Sequence, residues 1–147
     1  MNFYKAEEYI TLLSKKINNQ PMSSEEKMKL LRYSVIISHH YHYLKKSQYL
    51  LIIERLLNCK ISCQNFKTEF RQLVQQTETE CNLLSNNYEL LTNIKLDLRS
   101  INFTKWISEL HLSALEFTDE FTELTHTKDT EQLKEVAGYI YIQIKKY

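Results

Sequence analysis

Two cysteines four residues apart in RLLNCKISCQNFKTEF, Cys59 and Cys63, and two histidines three apart in SHHYHYLKK, His39 and His42, are the side chains of this sequence with the plainest chemical potential. A zinc site takes four ligands at short, recurring spacings, and neither pair has the further ligands it would need. We therefore expect no metal and no cofactor. Cys63, read as the first residue of a helix, is the one thiol whose ionisation a helix terminus favours, which leaves a reactive thiol as the functional reading and a tight turn as the structural one. Glu123 and His126 spell the Glu-x-x-His of di-iron bundles, an architecture that needs two such motifs where this chain has one. The only glycine, Gly138, falls inside a helical pattern, so no phosphate-cradling loop is available.

The elements that must position these residues read as helices. One Gly and one Pro in 147 residues cannot supply the turns of an all-β fold, and the length suits one domain with a real core. We expect an all-α single domain, a bundle of about five or six helices. Ala6, Ile10, Leu13 and Ile17 form a first apolar stripe that NNQP ends. Ser23 with Glu26 is a capping box opening a second helix, which is apolar on two sides. Met28, Leu31 and Val35 lie on one side, while Leu30, Ile37 and Leu44 repeat every seven residues on the other and offer a homodimer seam. Leu50, Ile53 and Leu57 continue after a break near Ser47.

At the quoted turn, Asn58 suits a left-handed helix end, Ser62 an N-cap, and Phe66 can staple back onto Ile61. The helix that follows carries Phe66, Phe70, Leu73, Thr77, Cys81 and Leu84 at steps of three and four, with Cys81 on its buried side. Residues 86–102 fit a helix or an irregular segment, with a strand-like alternation at Ile94, Leu96 and Leu98. Phe103, Trp106 or Ile107, Leu110, Ala114, Phe117, Phe121 and Leu124 then make one continuous stripe. Asp129 with Gln132 reads as another capping box, starting a last helix through Leu133, Val136, Ile140 and Ile144.

Net charge is +1, but it is unevenly placed: residues 1–100 sum to +4 and residues 101–147 to −3, with a local −6 between Glu109 and Glu135. Glu109, Glu116 and Glu123 are seven apart and Asp119 and Glu120 flank them, so five carboxylates share the side opposite the apolar stripe, with only Lys105 placed to offset one. A solvated face and a surface for a basic partner both account for this. An odd number of cysteines, no leader-like N-terminus and no apolar run of membrane-spanning length lead us to expect a soluble chain with free thiols, in cytoplasm or organelle stroma. Fifteen Lys against four Arg fits an AT-rich coding genome, bacterial or organellar, including a plastid.

LLNCKISCQNF resembles the colicin D immunity family, small helical inhibitors of nuclease toxins that include partners of contact-dependent inhibition systems. Leu57, Ile61, Ser62 and Phe66 match the family's turn pattern, and Cys59 stands where the family has glycine. The likeness runs more loosely through Ile107–Glu120 and Gln132–Lys146, which divides the chain into an immunity-like bundle over residues 47–147 and an N-terminal helical extension, residues 1–46, packed on the same domain. The resemblance implies a non-enzymatic protein that binds a basic nuclease, tRNase-like, through an acidic surface formed by Glu109, Glu116, Asp119, Glu120 and Glu123.

Two other readings stay open. Arg32 and His39 match the Arg-x4-6-His spacing of HEPN ribonucleases, at a frequency of roughly 0.4 expected by chance in a chain of this composition. Arg32, His39 and Lys46 at heptad spacing, with Tyr43, offer phosphate and base contacts, although a net charge near zero disfavours nucleic acid. The third reading is a helical interaction subunit, bacterial or organellar.

Overall fold

The computed structural model describes residues 4–117 and, from Glu123 onward, the backbone of the last helix, with its side chains from Thr130. Among the described residues there are seven α-helices, one 3-10 turn and no strand, so the fold is all-α. The helices are α1 (Ala6–Ile17), α2 (Ser24–Leu44), α3 (Lys46–Leu57), α4 (Cys63–Leu83), α5 (Tyr88–Asn93), α6 (Arg99–Glu116) and α7 (Glu123–Ile144), with the 3-10 turn at Leu84–Asn86.

The helix ends follow local chemistry. Ser23 accepts from the Glu26 amide at 3.1 Å and Glu26 accepts from the Ser23 amide at 3.2 Å, which is the capping box in full. α2 yields to α3 at Lys45, two residues before the break expected from the sequence. Segment 86–102 resolves into α5, an extended link and the start of α6. Ile94 and Leu96 face the core while Leu98 is exposed, so its alternation is that of an extended connection.

Two apolar clusters hold the bundle together. The larger joins α3, α4, α6 and α7 around Tyr49, Phe66, Phe70, Phe103 and Ile140. The smaller joins α1, the first part of α2, the 3-10 turn and α5; in it Tyr4, Tyr9 and Tyr33 meet edge to face with centroids 5.7 to 6.1 Å apart.

Several expectations are corrected here. The buried centre of α1 is Tyr9, Leu12 and Leu13, and Ile17, at the helix end, is exposed. On α2, Leu30 and Ile37 are 7% and 1% exposed and belong to the smaller core, whereas Leu44, which the heptad spacing grouped with them, lies on the surface. The side left open is the other one, where Met28 and Leu31 are 57% and 58% exposed. α6 stops at Glu116: Phe117 turns extended at ψ 133° while remaining buried, and Lys67 Nζ donates to its carbonyl at 2.9 Å, supplying a partner the helix no longer provides. Its expected continuation at Phe121 lies outside the described residues. α7 starts at Glu123, which puts Asp129 inside a helix rather than at an N-cap.

A candidate partner groove between α6 and α7

On α6, Glu109, Ser113 and Glu116 step by four and three and so share one face; on α7, Gln132, Glu135 and Tyr139 step by three and four. The two rows border a groove of about 600 Å³ whose floor is Phe117, Leu133, Val136 and Ile140. Glu109, Glu116 and Glu135 are all exposed, and among the described residues none has an ion-pair partner. Tyr139 is 58% exposed and is braced by Trp106, ring centroids 5.7 Å apart at 74°.

Of the five carboxylates expected to form one surface, the structure thus brings Glu109 and Glu116 to one groove. Asp119 and Glu120 lie outside the described residues, and so does the side chain of Glu123, the first residue of α7. Glu135 was missed. Its signal was the Gln132, Glu135, Tyr139 spacing on the last helix, which sequence reasoning treated only for its apolar side.

The turn motif borders this groove. Ile61, Ser62, Cys63 and Gln64 line a neighbouring cavity of about 310 Å³ that shares Phe117 with it. Ser62 accepts from the Asn65 amide at 3.1 Å as the N-cap of α4, and Phe66 is fully buried. The left-handed residue is Cys59, at φ 56°, and not Asn58. Its amide donates to the Leu56 carbonyl at 3.1 Å and that of Lys60 to the Arg55 carbonyl at 2.8 Å, the two bonds of a Schellman ending. Cys63 is buried, and burial pushes its thiol up from the usual range, so the helix terminus does not make it a ready thiolate. No family model, curated protein sequence or solved structure matches this chain.

A second concavity, about 360 Å³, opens where α2, α4 and α6 meet, lined by His39, His42, Glu78 and His111 among others. His42 is 4% exposed and uses both ring nitrogens internally, with Nε2 2.6 Å from Glu78 Oε1 and Nδ1 2.7 Å from Tyr49 Oη. Ser38 Oγ donates to the same Glu78 oxygen at 3.1 Å. Tyr49 is fully buried and its phenol is pushed far up by desolvation, so it stays protonated. Burial lowers His39 and His111, leaving both neutral at pH 7. Arg32 is exposed and does not line this cleft. Tyr43 packs edge to face on Phe103 at 5.5 Å and carries the Arg99 guanidinium 5.8 Å from its centroid, so its ring is occupied and not presented to a base. Among the described residues no group of three or more His, Cys, Asp or Glu is arranged to hold a metal ion, and no helix is long and apolar enough to cross a membrane.

Proposed function

We propose that this chain is a non-enzymatic inhibitor of immunity type, which binds a basic nuclease, tRNase-like, and covers its substrate site. The observation that carries the reading is the α6/α7 groove, where three exposed carboxylates line an apolar floor and, among the described residues, none has an ion-pair partner. Nuclease sites are basic because they hold phosphate, and a complementary acidic cover raises the association rate and penalises wrong partners. The resemblance at residues 57–66 gains support from Cys59: the family's glycine falls on the one residue of the turn with a positive φ, where glycine is the natural occupant.

The test is inhibition. A basic tRNase sought by pull-down with the chain and among its neighbouring genes is assayed on tRNA with and without it, and binding is measured at two ionic strengths for wild type and for Glu116→Lys with Glu135→Lys. Stoichiometric inhibition, affinity that falls with salt and a loss of roughly thirtyfold or more in the double reversal are expected. Cleavage that proceeds unaffected by the chain overturns the reading.

His39 and His111, neutral imidazoles in one cleft, keep a metal-independent ribonuclease as the second reading. RNA cleavage by the purified chain, abolished by His39→Ala, would put that reading first.

A further inference from the structure

The α6/α7 groove is defined by more than its charge. Lys67 Nζ donates to the carbonyl of Phe117 at the groove's edge, and Lys134 Nζ lies 3.5 Å from Cys59 Sγ; among the described residues neither pairs with a groove carboxylate. Lys105, four residues before Glu109, makes no ion pair with it. Among the described residues no cation pairs with these carboxylates, and no three of them are arranged for a metal ion. Beneath them lies an apolar floor in which Leu133 and Ile140 are almost fully buried. Tyr139 stands at one wall, fixed by Trp106 and open to solvent over more than half its surface.

Each feature selects a different part of an occupant. An apolar floor suits a chain of methylenes, unpaired carboxylates suit a cation, and an exposed ring held by a second ring suits a flat, weakly hydrated cation more than a compact, strongly hydrated ammonium. The geometry points to an arginine side chain as the anchor this groove accepts, its stem on Leu133, Val136 and Ile140, and its guanidinium among Glu109, Glu116 and Glu135 beside Tyr139. The inference rests on the inhibitor reading for the identity of the molecule that presents the arginine, a basic protein loop or helix; the preference of the groove itself does not depend on it. A volume of about 600 Å³ leaves room for the backbone on either side of that residue.

Trp106 is the only tryptophan, so its indole N–H is a unique reporter at the groove wall. We would titrate the full chain with N-acetyl-arginine amide and, separately, N-acetyl-lysine amide, following amide and indole signals by NMR. Arginine amide is expected to move Trp106, Gln132, Glu135 and Tyr139 and to bind several-fold more tightly than lysine amide. Glu116→Gln with Glu135→Gln should weaken it roughly tenfold, and Tyr139→Leu should remove the preference for arginine over lysine. Both glutamates are exposed, and helical circular dichroism verifies the fold of each variant. Shifts scattered over the surface, equal binding of the two amides, or an unchanged double variant each overturn the inference. Inhibition of a nuclease without arginine binding would sink this proposal and spare the inhibitor reading, whereas arginine binding without inhibition would do the reverse.

Discussion

Asn19 and Cys59 hold equivalent places at the ends of α1 and α3, at φ 52° and φ 56°, and are the only described non-glycine residues with positive φ. Each is followed by the same pair of backbone bonds: Asn19 and Gln20 donate to the Lys16 and Lys15 carbonyls at 3.2 and 2.9 Å, as Cys59 and Lys60 do to Leu56 and Arg55. Asparagine tolerates the left-handed region; cysteine does so at greater cost.

Cys59→Gly should therefore stabilise the protein by about 1 kcal/mol, because the left-handed strain removed outweighs the extra freedom glycine has when unfolded. Urea denaturation of wild type and variant checks this, and a lower midpoint for the variant would refute it. Cys63→Ala, which empties a small buried volume, should cost about 1 kcal/mol or less. Neither change should alter the metal content of the purified protein.

Gly138 sits inside α7, where a Cβ would meet Leu57 Cδ2 at an ordinary 3.7 Å. Gly138→Ala should gain about 0.5–1 kcal/mol from helix propensity. A thermal midpoint below that of wild type would show that the α3/α7 seam is tighter than this distance implies.

The two sides of α2 should respond very differently. Ile37→Ala removes a fully buried side chain and should cost about 2–5 kcal/mol, whereas Leu31→Ala on the open side should fall within about 0.5 kcal/mol of wild type. Comparable losses at both positions would mean that the Met28, Leu31, Val35 side is covered in solution.

Acid should weaken the fold through its histidines. His39, His40 and His111 are lowered from 6.5 chiefly by burial, so the native state keeps them neutral where the unfolded chain binds protons. Their contribution is full above about pH 6.5 and is lost as the pH falls from there through their depressed native values. His42 and Arg71 add to the lowering at His111, and Glu78 and Asp97 oppose it at His39 and His40 respectively. Thermal midpoints across pH 5 to 8 should drop on the acid side, and the slope should flatten in His39→Gln with His111→Gln. An identical slope in that variant would remove these residues as its source.

Signals carried by two or three neighbouring residues were legible in the sequence, and signals that depend on a distant surface were not. Ser23 with Glu26 and Ser62 with Phe66 act within one turn of helix, so their chemistry is visible in the residue types alone. Asn58 drew the left-handed assignment because asparagine tolerates it best, yet the Schellman bonds required it one residue later, at Cys59. Leu30 and Met28 are equally apolar, and only the packing of α1 and α5 decides which side of α2 is buried. The end of α6 carries no Gly or Pro, so the apolar stripe ran on past Phe117. Glu109 and Glu116 declared themselves by spacing, but Glu135 joins them only because α7 folds back along α6.

Tyr4 donates its hydroxyl to the Leu91 carbonyl at 2.8 Å, across a sequence separation of 87 residues, and Leu84 and Leu91 complete the cluster that α1 and α2 begin. On a ribosome the first two helices therefore emerge long before the residues that seal them. At ordinary synthesis rates the 45 or so residues between take on the order of a few seconds to follow. Throughout that delay three tyrosines and the apolar side of two helices face solvent or a chaperone, and this part of the nascent chain depends on the arrival of residues that follow it.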